Sequence, residues 1–371
     1  MTRVVVAPAP FKGALPASAA ARAIAAGVRL VLPGAETVVL PVADGGEGTM
    51  EALVAATGGR RRTARVADPL GRPADAGLGE LAGGVAVVEL AQASGYERLT
   101  DRERDPEATS TRGTGELIRA ALDLGGLGGS ATTDGGLGLA AALGVRALDA
   151  DGRVLEGRGS DLARVASLDL SGRDPRIDDT AIQVACDVDN PFHGPDGAAC
   201  VFGPQKGATP EGVALANLAG VVRATTGIDL QALPGAGAAG GAAGGLAALL
   251  GAELTPGAPL VLDALGFPGR LVGAGLCITG EGRLDETSGG GKAPLAVAAA
   301  CAAAGVPCVA LCGEVALGPG AVRRMGFAAA LAIGRAIRPL PDALEATEAD
   351  LAAAAAAAAG LWATGRAAAR G

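Results

Sequence analysis

Lysine occurs only three times in this 371-residue chain, against 28 arginines, and each lysine stands beside glycine: Lys12 in Phe-Lys-Gly, Lys206 in Gln-Lys-Gly and Lys292 in Gly-Gly-Lys. A compact ammonium next to backbone that a ligand can approach closely suits phosphate binding. Solvated loop lysines are the plain alternative. Two aspartates, Asp187 and Asp189, follow an apolar run that reads as a buried strand and sit two positions apart. Strand alternation would put both carboxylates on one side. Two hard oxygen donors suit Mg²⁺, which keeps waters and substrate phosphates among its ligands. A turn with an Asx cap would use the same residues for local geometry alone.

Glycine-rich loops recur around these residues. Asp44-Gly45-Gly46-Glu47-Gly48-Thr49 follows a strand-like run and opens a helix, which would aim backbone N–H groups and a helix N-terminus at a strand's carboxyl end. Gly128-Gly129-Ser130-Ala131-Thr132-Thr133-Asp134-Gly135-Gly136 offers small residues, hydroxyls and one carboxylate before a helical run at Leu137. Gly280-Glu281-Gly282-Arg283-Leu284-Asp285 follows another strand-like run, with residues 289–292 shortly after it. One such loop could be a mere turn; four in one chain point to phosphate and carboxylate binding.

Other chemistries fit poorly. His193 is the only histidine, so a Ser-His-Asp hydrolase would depend on it wholly. Gly235-Ala236-Gly237-Ala238-Ala239-Gly240 matches the dinucleotide fingerprint literally, but Leu233-Pro234 is a poor strand ending, and Asp263 lies at a misfit spacing for the ribose acid. Before Lys292, a P-loop would need glycine at 286, where the chain has Glu286, and a hydroxyl residue where it has Ala293. The H-R-D and D-F-G elements of protein kinases are absent.

The elements that must hold these residues alternate at both ends of the chain. Residues 4–7 read as strand, 16–32 as helix, 37–42 as strand and 49–57 as helix; later, 276–279, 295–304 and 307–311 read as strand, helix, strand, with a helix near Val322. Such alternation implies a parallel sheet. The middle differs, with strands at 85–90 and 182–186, a helix at 114–124 and long Gly/Asp/Pro loops. One discontinuous domain with a second inserted is therefore expected, and the Ala-rich stretch 350–370 reads as its last helix.

Composition narrows the class further. The hydrophobic fraction is 49% with 2% aromatic, so apolar content is mostly Ala, Val and Leu, as in helices and buried strands. A formal net charge of −8 disfavours nucleic acid as a partner. The uncharged stretches 230–252 and 293–313 are interrupted by glycines or by Gly305 and Pro307, so no membrane span is expected. Pro8, Pro10 and Lys12 stand where an export signal needs an apolar core. Six cysteines without a C-x-x-C motif read as buried free thiols of a cytoplasmic protein.

Taken together, Phe11-Lys12-Gly13, Pro41-Val42-Ala43-Asp44-Gly45-Gly46-Glu47-Gly48-Thr49, Gly113-Thr114-Gly115-Glu116, Gly128-Gly129-Ser130-Ala131-Thr132, Ala185-Cys186-Asp187-Val188-Asp189-Asn190-Pro191, Phe202-Gly203-Pro204-Gln205-Lys206-Gly207-Ala208-Thr209, the glycines of 235–241, and Thr279-Gly280-Glu281-Gly282 with Lys292-Ala293-Pro294 resemble the bacterial glycerate kinase type 1 family, in order and over nearly the whole chain. The resemblance implies ATP-dependent phosphorylation of D-glycerate to 2-phosphoglycerate rather than 3-phosphoglycerate, with ATP and Mg²⁺ as cofactors. The fold class it implies is α/β in two domains: a Rossmann-like parallel-sheet domain over 1–65 plus 280–371, and an inserted α/β domain with a mixed sheet over 66–279.

For a kinase of this kind, Asp187 and Asp189 would hold magnesium or orient the hydroxyl, with Lys12 and Lys206 near the transferred phosphate or the substrate carboxylate. Asp44, Gly45, Gly46 and Glu47 would bind glycerate; Gly128, Gly129, Ser130, Gly280, Glu281, Gly282 and Lys292 would bind the nucleotide. No nucleic-acid or membrane partner is expected, and oligomeric state stays open. The chain departs from the family by Ala9 and Pro10 before Phe-Lys-Gly, and by lacking an apolar strand between Gly125 and Gly128, where distortion or frayed pairing is expected. A catalytically weak relative that only binds nucleotide or a small organic acid is the alternative.

Overall fold

A computed structural model describes residues 2–43, 45–46, 48–122, 133–202, 214–286 and 292–368. The chain divides into two compact units, Met1–Asp44 with Gly257–Gly371, and Gly45–Pro256. The crossings thus fall at 44/45 and 256/257, where the sequence reading drew them at 65/66 and 279/280. The stretch expected to be distorted, before Gly128, lies outside the described residues.

The first unit opens with β1 (Arg3–Val6), a helix over Ala17–Val31 and β2 (Glu36–Val39). In the second unit a helix over Thr49–Thr57 leads into β3 (Arg60–Ala67), β4 (Pro73–Leu81) and β5 (Val85–Val87), which form an antiparallel sheet. Next, β6 (Arg146–Leu148) and β7 (Ser167–Asp169) pair antiparallel, and β8 (Gln183–Ala185) and β9 (Glu253–Thr255) pair parallel. Strand directions in this unit are therefore mixed, but spread over three small sheets. Helices over Arg112–Leu122 and Ala242–Leu250 supply Leu117, Ile118, Leu246 and Leu250 to its core beside Leu78 of β4.

The chain re-enters the first unit and runs through β10 (Ala274–Leu284), a helix over Ala293–Ala303, β11 (Cys308–Val315) and β12 (Ala329–Ala332). The five strands form one parallel sheet in the order β12-β11-β10-β1-β2. Val4, Val5 and Val6 are all fully buried, as a parallel strand covered on both faces requires. Val4, Val6, Leu276 and Ile278 pack against Ala20 and Ile24 of the helix Ala17–Val31 and against Leu351 and Ala355 of the last helix, Thr347–Ala368. Gly27 makes that helix crossing possible, because a Cβ there would collide with the Ala352 carbonyl. On the opposite face, Cys277 and Cys308 meet Cys301 of the helix Ala293–Ala303.

Cys277, Cys301, Cys308 and Cys312 are buried and free, as expected, whereas Cys186 and Cys200 are only half-buried. Among the described residues, no helix is long and apolar enough to cross a membrane.

Candidate functional site

In the five-stranded sheet, β1 connects toward β2 on one side, while β10 connects toward β11 and β12 on the other. The strand order therefore reverses between β1 and β10. Crevices at the carboxyl ends of strands beside such a reversal are where open α/β sheets bind ligands.

The chain leaving β1 is fastened to β10. Ala7 N donates to Ile278 O at 2.8 Å, Ala9 N donates to Gly280 O at 2.8 Å, and the Thr279 hydroxyl donates to Ala7 O at 2.7 Å. Phe11 and Leu15 exchange backbone hydrogen bonds of 2.8 and 2.9 Å, closing a short loop. Phe11 is buried and anchors it, while Lys12 stands exposed at the tip beside Gly13, whose φ is +77°.

Gly280, Glu281 and Gly282 do not form the loop that their composition suggested; they continue β10. The reason is interstrand distance. A Cβ at Gly280 would collide with the Leu311 carbonyl of β11, so glycine there serves close pairing of two strands. Gly282 is roomier: a Cβ would lie 3.7 Å from Lys12 N and 3.9 Å from the Phe11 Cα, so this glycine sits against the lysine loop. Glu281 is buried, and beside it burial pushes the Cys312 thiol up to about 12. Lys292, half-buried, is the N-cap of the helix Ala293–Ala303; its carbonyl accepts from Leu295 N at 3.0 Å and Ala296 N at 3.2 Å. Pro294 at the helix start fixes φ where no donor is needed.

In the second unit, β8 ends at Ala185, so Asp187 and Asp189 lie past the strand in irregular chain. The alternation expected to align them is absent; other contacts shape the segment. Cys186 N donates to Thr255 O at 2.9 Å, and its thiol reaches the carbonyls of Val188 at 3.2 Å and Gly235 at 3.6 Å. Burial raises the Cys186 thiol pKa, and the charges of Asp187 and Asp189 raise it further, so both carboxylates act on one sulfur. Asp187 is half-buried and Asp189 exposed. In donor type, hard carboxylate oxygens suit Mg²⁺.

The glycines of 235–241 back this acidic segment. Gly237 N donates to Asn190 O at 3.0 Å, and a Cβ at Gly237 would collide with the Pro191 carbonyl. The literal dinucleotide fingerprint is thus a backbone-on-backbone packing device that follows a short helical turn at Leu230–Ala232 rather than a strand. Ala239, Gly240 and Gly241 all take positive φ.

Gly45 and Gly46 precede the helix Thr49–Thr57. The Thr49 hydroxyl donates to Gly46 O at 2.7 Å, and Gly48, at φ +88°, is the N-cap with no side chain to offer. Glu89, which the sequence reading passed over, supplies what Gly48 lacks: its carboxylate accepts from Met50 N at 2.6 Å and also from Gly48 N. Burial pushes the Glu89 carboxyl above its ordinary range, and the N–H donors pull it partly back. A lone charge inside the apolar run 85–90 was the available signal.

Asp134, seen as a possible ligand, is instead an internal clamp. It is fully buried and accepts from Thr111 N at 2.7 Å, the Thr111 hydroxyl at 2.8 Å, Gly136 N at 3.1 Å and Gly138 N at 3.3 Å. Burial raises its pKa. Asp44, Glu47, Gly128, Gly129, Ser130 and Lys206 lie outside the described residues. Lys12, Gly280, Glu281, Gly282 and Lys292 therefore belong to one unit, and Gly45, Gly46, Asp187 and Asp189 to the other.

Comparison with known proteins matches residues 4–363 to the model of the glycerate kinase family. The chain is 44% identical to a glycerate kinase of Halalkalibacterium halodurans, over 93% of this chain and 94% of that one. It is 42% identical to a glycerate 2-kinase of Escherichia coli, over 92% and 93%. A crystal structure of a protein assigned as glycerate kinase 2 from Salmonella typhimurium LT2 superposes with a TM-score of 0.87 at 40% identity, covering 98% of this chain and 99% of that one.

Proposed function

The chain belongs to the glycerate kinase family, and from that premise we propose that it transfers the γ-phosphoryl group of ATP to the 2-hydroxyl of D-glycerate, giving 2-phosphoglycerate and ADP. The observation that carries this reading is a family match spanning residues 4–363. For the choice of hydroxyl, support comes from 42% identity to a relative named glycerate 2-kinase.

The reaction breaks the bond between the γ-phosphorus and the ADP oxygen, forms one to the glycerate oxygen, and releases the hydroxyl proton to a base. Such transfers ask the protein for positioning and charge stabilisation more than for covalent work. Lys12, on a loop whose base is fastened to β10, presents its ammonium to the phosphoryl group or the glycerate carboxylate, and Lys206 is assigned the same role. Asp187 and Asp189 would hold Mg²⁺, and one of them takes the hydroxyl proton. When bound, Mg²⁺ supplies positive charge against the phosphate oxygens.

Gly45 and Gly46, with Asp44 and Glu47, bind glycerate beside the start of the helix Thr49–Thr57. Gly280, Glu281, Gly282 and Lys292, with Gly128, Gly129 and Ser130, bind the nucleotide. Free cysteines go with a cytoplasmic setting.

The test is ADP release by the purified protein with MgATP, with and without D-glycerate, followed by NMR of the product. Glycerate-dependent release with phosphate on carbon 2 is the expected result. Phosphate on carbon 3 reassigns the hydroxyl, and no glycerate-dependent release from folded protein leaves the binding-only alternative.

A further inference from the structure

Three sulfur atoms that the phosphoryl transfer does not use, those of Cys277, Cys301 and Cys308, lie within 4.8 Å of one another. They come from three elements. Cys277 of β10 and Cys308 of β11 are register partners on neighbouring parallel strands, and Cys301 reaches them from the helix Ala293–Ala303. None is more than 1% exposed. We propose that this cluster is a binding site for one thiophilic monovalent cation, Cu(I) in chemical type, held by the three sulfurs in a trigonal arrangement.

The donor set selects the ion. Thiolates are soft ligands and favour Cu(I) among the biological metals. Metal–sulfur bonds of about 2.3 Å set three trigonal sulfurs about 4 Å apart, so the cluster needs at most a small contraction. Zinc would require a fourth ligand; among the described residues no histidine or carboxylate joins the group, and the burial of all three sulfurs leaves no open side for water. Each thiol that becomes a thiolate passes its proton to solvent, and no electron moves. Retaining a proton on one of the three sulfurs limits the net charge that must stay buried. The ion would tie β10, β11 and the helix that begins after Lys292 into one block.

The experiment uses the full chain carrying Cys186→Ala and Cys200→Ala, which removes the half-buried thiols. It is loaded anaerobically with the acetonitrile complex of Cu(I), then passed through a column with bicinchoninate as competitor. We expect about one retained copper per chain, thiolate-to-copper absorption in the near ultraviolet, and a higher melting temperature. In the same background Cys301→Val and, independently, Cys308→Ala should each lower retention at least about tenfold. No retained copper in the folded parent overturns the site, as does unchanged retention in whichever variant folds. Zn(II) or Cd(II) held as firmly as copper overturns the assignment to a three-coordinate monovalent ion.

Discussion

An aspartate that holds magnesium or takes a hydroxyl proton can lose its charge without unfolding the protein when it stands at the surface of irregular chain. Asp189 is exposed and Asp187 half-buried. We expect Asp187→Asn and Asp189→Asn each to lower kcat by about 100-fold or more, as removal of a general base or a charge-stabilising group does, with melting temperatures near that of the parent. Steady-state kinetics beside thermal melts decides it; normal kcat with a lowered melting temperature would make the pair structural.

Glu89 should behave in the opposite way. Glu89→Ala leaves the buried Met50 N–H without its acceptor, a loss of about 1–3 kcal/mol readable in urea denaturation. The pH dependence follows from the raised carboxyl pKa. A group whose pKa is higher in the folded state favours folding while protonated, so its contribution is fully present at acid pH and is lost as pH rises through the folded value. Glu89→Gln keeps an acceptor and never ionises. Its melting temperature should gain on the parent as pH moves from acid to neutral, and parallel curves would show that Glu89 does not titrate with unfolding.

The residue types of the candidate site were legible because lysine is so rare here and because Asp187 and Asp189 are so close in sequence. Their placement was not. Alternation along a strand places side chains only while the strand lasts, and β8 stops at Ala185. What shapes the acidic segment is a glycine loop some fifty positions later, which no local pattern announces.

Among the elements, β10 carries two glycines with different duties. Gly280→Ala drives a methyl into the Leu311 carbonyl and should cost about 1–3 kcal/mol or more, as overpacking does. At Gly282 the added methyl meets only ordinary contact distances to the Lys12 loop. Gly282→Ala should leave the denaturation midpoint nearly unchanged and alter the Michaelis constant for ATP or glycerate. Equal losses of stability in both variants would contradict this division.

The terminal elements could be read from sequence because β-branched runs and helical apolar spacing dominate where a parallel sheet is covered on both sides. The antiparallel β3 and β4 could not. Arg60–Ala67 is mostly exposed and carries arginine at four of its eight positions, with Val66 the one buried residue, so the alternation is too faint to see. β12 is Ala-Ala-Leu-Ala, a helix-favouring composition held extended by pairing with β11.

At the scale of the whole molecule, the last helix secures a sheet whose first strands lie far away in sequence. Leu351 is fully buried, worth about 1.5–3 kcal/mol by itself, and Ala355 and Ala359 add to it against a total margin of about 5–15 kcal/mol for a typical protein. A chain ended after Ala346 should lose most of its soluble yield, measured by expression and circular dichroism. Recovery of a folded, active truncation would show that the helix is dispensable. The alternation at both ends made the interrupted plan visible in the sequence, but the exact crossings depend on which contacts form in three dimensions.

The hydrogen bond from Thr279 to Ala7 joins residues 272 positions apart. During synthesis at about 5–20 residues per second, β1 leaves the ribosome on the order of tens of seconds before β10 exists to pair with it. Through that interval Val4, Val5 and Val6 have β2 as their one possible sheet partner, and an apolar edge waits open. The nascent chain therefore has to survive a delay that the finished protein no longer shows, and cells that translate this message slowly or lack a holding chaperone should accumulate aggregated rather than degraded product.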